Sequence, residues 1–120
     1  MEKRAATRLD KVFPVWVSSP HFGECQAIAR NISTVGILIE MSEPLPLGSE
    51  VCVHFSIPDS HDEFIARGEV KRHYFLQFSD ETGPRCLTGM GVRFTGFGEG
   101  FGERADERLG AEIGRMRTLH

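Results

Sequence analysis

Two short groups of residues carry the chemistry that this chain could perform. The first is Arg4 and Arg8, in Arg4-Ala5-Ala6-Thr7-Arg8 near the start. The second is Asn31, Ser33 and Gly36, in Asn31-Ile32-Ser33-Thr34-Val35-Gly36. A guanidinium presents five donors in a rigid fork, which can grip a phosphate or the O6/N7 edge of guanine with two bonds at once. It can also stack on a base through its planar face. Asn31 can both donate to and accept from a base edge through its amide. Ser33 can bond a phosphate or a backbone group. Gly36 can bring backbone close to a ligand or adopt a dihedral that other residues avoid. Neither group sets a nucleophile beside a base. Together they would form a clamp for an anionic, guanine-bearing ligand. Each also has a plainer reading: two solvated arginines near a terminus, and a hairpin turn capped by Asn31 or Ser33.

Bulk properties narrow the setting. A chain of 120 residues with 40% apolar content suits one domain with one core. The net charge of −3 argues against a general nucleic-acid binder. The opening segment is nevertheless basic, with Lys3, Arg4, Arg8 and Lys11 against Glu2 and Asp10. The sequence holds neither an apolar run of the roughly 20 residues needed to span a bilayer nor a secretory leader. A cytoplasmic protein is therefore expected. Three widely spaced cysteines, Cys25, Cys52 and Cys86, make a poor disulfide or zinc framework. Cys25 and Cys52 are expected as small buried or half-buried strand residues.

Alternating apolar residues predict the elements that must position the two groups. Strands are expected over residues 12–17, 22–31, 36–41, 51–57, 64–75 and 90–94. Pro14, with no N–H to donate, marks an edge or a strand start, and Gly68 marks a bulge or a close backbone approach. Residues 42–48 and 79–87 read as loops. In the tail the period lengthens: Phe101, Ala105, Leu109, Ile113 and Met116 form one helical stripe. Trp16 is expected at a sheet face, Tyr74 at a strand end, and Phe97 and Phe101 as helix anchors. Six antiparallel strands can close into a small β-barrel, an all-β fold completed here by a C-terminal α-helix. The expected organisation is a flexible basic arm over 1–11, a barrel over 12–98 and the helix over 99–120.

In this context the sequence resembles the PilZ family, β-barrel domains that bind cyclic di-GMP. That family carries Arg-x-x-x-Arg, then Asp/Asn-x-Ser-x-x-Gly. Arg4 and Arg8 match the first motif, and Asn31, Ser33 and Gly36 match the second. Pro44-Leu45-Pro46-Leu47-Gly48 and Gly89-Met90-Gly91-Val92-Arg93-Phe94 extend the likeness over nearly the whole chain. Thr34-Val35 departs from the polar-glycine pair common before the last glycine. The resemblance implies a bacterial signalling protein without catalytic activity. Arg4 and Arg8 would wrap the phosphates and guanine edges, Asn31 and Ser33 would meet a guanine from the barrel surface, and Gly36 would fix the turn. Ordering of the arm on binding would alter what a partner protein meets. Arg30 and Arg93 either add charge to this site or stand as ordinary surface residues.

The five histidines share no metal-ligand spacing, and no phosphate loop, dinucleotide fingerprint or serine elbow occurs. No enzyme activity and no metal are expected. Two functions are compatible with these residues. One is a cyclic di-GMP receptor acting through an unidentified protein partner. The other is an adaptor of the same fold that does not take the nucleotide.

Overall fold

The computed structural model describes residues 8–60, 62–98 and 105–117. Arg4, His61 and Phe101 lie outside them. Six strands run in chain order: β1 (Phe13–Ser19), β2 (Gly23–Ile32), β3 (Gly36–Glu40), β4 (Glu50–Ser56), β5 (Glu63–Asp80) and β6 (Gly83–Phe97). A helix follows, α1 (Ala105–Arg117). All pairings are antiparallel, and the strands close into a barrel in the order β1-β2-β3-β6-β5-β4. Closure leaves the barrel wall without a free edge.

Alternation decides which side chains fill the interior. Phe13, Val15 and Val17 of β1 point inward, as do Val51, Val53 and Phe55 of β4, while Trp16 faces outward and is half exposed. Pro14 lies at the start of β1, opposite Ile28 of β2 and before the pairing with β4 begins at Val15, so its missing N–H costs the second ladder nothing. On β2, Ala27 and Ala29 are buried, but Cys25, expected to be buried or half-buried, is exposed; it precedes Ile28, where pairing with β3 begins. Cys52 is half-buried.

Helix α1 sets Leu109, Ile113 and Met116 into the same core cluster as Leu9, Ile32, Ile57 and Phe64. Burying each of these side chains is worth about 1.5–3 kcal/mol. That outweighs the roughly 1 kcal/mol cost of each helix glycine, Gly110 and Gly114. Arg108 lies 5.2 Å over the Phe64 ring, and Arg115 donates to the Asp59 carbonyl at 3.2 Å. Phe97 packs beside Phe94, with ring centroids 5.6 Å apart. Among the described residues no helix is long and apolar enough to cross a membrane.

The principal correction concerns β5 and β6. The segment 79–87 is not a loop. β5 continues through Asp80, β6 begins at Gly83, and only Glu81 and Thr82 turn the chain. Asp80 builds that turn: its carboxylate accepts from Thr82 N (2.9 Å), Thr82 Oγ1 (2.7 Å) and Arg85 Nη1 (3.0 Å). Tyr74 consequently sits within a strand, opposite Gly89, and not at a strand end. Gly68 meets both expectations placed on it. The β5–β6 register shifts between Arg67 and Gly68, and a Cβ on Gly68 would lie 2.7 Å from the Arg93 carbonyl oxygen.

Candidate functional site

The residues that lead into the barrel are held by Leu9. It is buried, and it exchanges two backbone hydrogen bonds with Ile32: Leu9 N donates to the Ile32 carbonyl (2.7 Å), and Ile32 N donates to that of Leu9 (3.0 Å). An apolar side chain beside two charged neighbours, Arg8 and Asp10, thus fixes the approach of the chain. Arg8 is exposed and donates from Nη1 to Asn31 Oδ1 at 2.7 Å. The first arginine motif therefore meets the second motif directly through Arg8 and Asn31. Arg4 falls outside the described residues.

The turn between β2 and β3 uses Ser33 differently from Asn31. Ser33 is buried, with 3% of its surface exposed. Its Oγ accepts from Val35 N at 3.2 Å, and its own N–H donates to the Gly36 carbonyl at 2.9 Å. Here the turn-capping reading describes its hydroxyl. Gly36 has no left-handed dihedral. It is required by proximity: a Cβ there would lie 2.6 Å from the Val92 carbonyl oxygen of β6.

Beside this turn lies a groove of about 410 Å³, lined by Arg8, Ser33, Val35, Gly36, Ile37, Leu38, Lys71, Arg72, Gly91, Val92 and Arg93. Four of the lining residues are cations and none is a carboxylate, although the chain as a whole is acidic. Glu69 reaches Lys71 from outside the lining, at 3.7 Å. Arg93 stands opposite Gly36 in the β3–β6 ladder, which puts it in the groove. Arg30 does not line the groove; it pairs with Glu40 at 3.1 Å.

Lys71 and Arg72 were not among the residues singled out in the sequence. The cause is a second register shift, between Val70 and Arg72. Phe64, Ala66 and Val70 point inward at even positions; one extra residue then reverses the parity, so Arg72 faces out over Gly91. A Cβ on Gly91 would come within 3.3 Å of both Cγ and Nε of Arg72. The available signal was the basic run Lys71-Arg72-His73 facing a strand segment, Gly89-Met90-Gly91, with two glycines.

The PilZ domain family model matches residues 2–109. The chain belongs to the PilZ family. PilZ domains form a family of cyclic di-GMP receptors and are generally non-catalytic. Solved PilZ structures share this fold. The Bacillus subtilis inhibitor of motility superimposes with a TM-score of 0.71 at 17% identity, covering 98% of this chain and 52% of that one. This chain thus spans about half the length of that protein. The PilZ domain of Escherichia coli YcgR, solved with cyclic di-GMP, gives a TM-score of 0.70 at 9% identity, covering 97% and 95%. The PilZ domain of CeSA from a cellulose-synthesizing bacterium gives 0.59 at 17% identity, covering 90% and 98%. These identities speak to fold alone. A search of curated proteins returned no match.

Proposed function

We propose that this PilZ chain is a non-enzymatic receptor for cyclic di-GMP and that binding is relayed to a protein partner through ordering of residues ahead of Leu9. The supporting observation is the groove lined by Arg8, Lys71, Arg72 and Arg93, with Arg8 also bonded to Asn31, which lies outside the lining. A cyclic dinucleotide carries two phosphates and two guanines. Arg8 and Arg4 would take phosphate and guanine edges, and Arg72, whose side chain passes beside Gly91, would offer its planar face to a base. Asn31 would exchange its bond from Arg8 for a guanine edge. Gly36 holds β3 against β6 and so shapes the groove floor. Ser33 would act by holding the turn.

Titration of cyclic di-GMP into the wild type and Arg8→Ala, followed by calorimetry, tests this reading. Loss of one charge-assisted fork costs about 1.5–3 kcal/mol, so the variant should bind about 10- to 150-fold more weakly. A wild type that gives no saturable binding at high micromolar nucleotide would refute the receptor. That outcome would favour the adaptor, a reading that draws support from Ser33, whose hydroxyl is already committed to the turn.

A further inference from the structure

We infer that the projecting end of the β5–β6 hairpin is a self-association surface, through which a second copy of this chain adds its own β5 edge to edge. Pairing of β5 with β4 stops at Glu69, and the backbone bonds between Val70 and residues 48–49 end that contact. Beyond this point, among the described residues, β5 pairs with β6 alone, as far as Asp80 opposite Gly83. The segment from Phe75 to Ser79 thus projects with an open side. It contains no charge, and Phe75, Leu76 and Phe78 are 63%, 51% and 39% exposed.

The two edges of this projection are guarded unequally. Pro84 of β6 stands opposite Ser79 and has no N–H, so that pair cannot be a hydrogen-bonded one. Pair types alternate along an antiparallel ladder. Phe75, Gln77 and Ser79 therefore direct their N–H and C=O groups away from β6, to the open side. On the β6 side the missing N–H of Pro84 blocks strand addition. Nothing comparable protects β5. Its tip is also pre-shaped, since Asp80 ties the turn through Thr82 and Arg85.

Charge selects the occupant. The open segment is preceded by Lys71, Arg72 and His73 and followed by Asp80 and Glu81. An antiparallel second copy with its two-fold axis at Leu76 sets Phe75 opposite Gln77 of the other chain, where each pair exchanges two backbone bonds. The same register sets Arg72 opposite Asp80, twice by symmetry, and brings the turn residue Glu81, just past the end of β5, toward Lys71 at the bulge. Leu76 meets its own copy on the axis. Because the β6 edge is blocked, the contact is isologous and closes at a dimer instead of growing into a fibre.

Sedimentation velocity over a concentration series of the full chain, without nucleotide, tests the proposal. The wild type should show a monomer–dimer equilibrium. Gln77→Pro removes an outward N–H while sparing the bonds to β6, and should be monomeric with an unchanged circular dichroism spectrum. Glu81→Lys should weaken the dimer by at least about threefold per copy of the pair. Adding Lys71→Glu to it should restore the dimer, so the test survives even if Gln77→Pro does not fold. A wild type that stays monomeric at several hundred micromolar overturns the proposal. So does a dimer indifferent to Gln77→Pro and Glu81→Lys, or a monomer that instead floats with phosphatidylglycerol vesicles in a manner abolished by Leu76→Glu.

Discussion

Alanine at Gly36 and alanine at Gly114 should change stability in opposite directions. At Gly36 the new Cβ would lie 2.6 Å from the Val92 carbonyl oxygen, closer than the 3.0 Å that real Cβ contacts respect. The obstacle is backbone, so no rotamer change relieves it. β3 and β6 must part beside the bond that Phe94 N donates to the Val35 carbonyl (2.8 Å). Overpacking of this kind costs about 1–3 kcal/mol. Lower chain entropy in the unfolded state returns about 0.4–1 kcal/mol, leaving a net loss of about 0.5–2 kcal/mol. At Gly114, among the described residues, nothing beyond the helix's own backbone and the chain neighbours lies within 4 Å of the added carbon. Only helix propensity acts there, a gain of about 1 kcal/mol. Urea unfolding with equal m-values should therefore separate the two variants by about 1.5–3 kcal/mol, or roughly 4 °C of Tm per kcal/mol. A Gly36→Ala protein as stable as the wild type would refute the argument that close approach of β6, and not the turn dihedral, demands glycine.

Two further outcomes are expected. The hydroxyl of Tyr74 is buried with no hydrogen-bond partner among the described residues, and burial raises its pKa above 10.0, with Glu40 adding to the effect and Arg30 opposing it. Tyr74→Phe should be neutral to stabilising, by up to about 1 kcal/mol in urea unfolding, because it removes an unsatisfied polar group; a loss of stability would show that the hydroxyl does find a partner. The carboxyl of Asp80 is held below its ordinary 3.8, first by the Thr82 hydroxyl and then by the Thr82 N–H, Arg85 and Gly83 N–H. A folded pKa lowered in this way contributes stability that is present above 3.8 and lost as the pH falls through the depressed value. Carboxyl NMR titration should find Asp80 below the unperturbed Asp range, and hydrogen exchange at the hairpin tip should accelerate only at more acid pH; an Asp80 that titrates at or above 3.8 would contradict the turn geometry.

The strands that wall the barrel were legible because one face is buried and the other is not. Val51, Val53 and Phe55 alternate with Cys52, His54 and Ser56, and the interior reads directly from that period. The helix stripe was legible for the same reason at a longer period, with Leu109, Ile113 and Met116 buried. The projecting hairpin was not, because no core forces alternation on it: Phe75 and Leu76 are both exposed. Its turn residues also resemble a loop. Asp80, Gly83 and Pro84 are loop-forming types, yet Asp80 caps a two-residue turn and Pro84 sits on a free edge. At the candidate site, Arg8, Asn31 and Gly36 could be chosen by type and spacing. Arg72 could not, since a one-residue bulge decides which side of the sheet it faces, and periodicity read from one strand cannot locate that bulge. The burial of Ser33 was hidden for a related reason: its hydroxyl serves Val35 two residues on, a bond that competes with any ligand.

The position of Leu9 bears on how a clamp could work energetically. Fixing backbone costs about 1–2 kcal/mol per residue, so an arm ordered along its whole length would consume much of what its arginines gain. Leu9 is already buried and bonded on both sides to Ile32. Arg8 therefore stands one residue from a fixed point, with its guanidinium already on Asn31. Engaging a ligand there demands mainly side-chain rearrangement and the exchange of a bond to a neutral amide oxygen for one to an anionic phosphate, which is the stronger of the two. The backbone cost would fall instead on residues ahead of Arg8, where the receptor reading places Arg4. On the receptor reading the two arginines would be unequal: Arg8 would supply affinity at small entropic cost, and Arg4 would supply the conformational response.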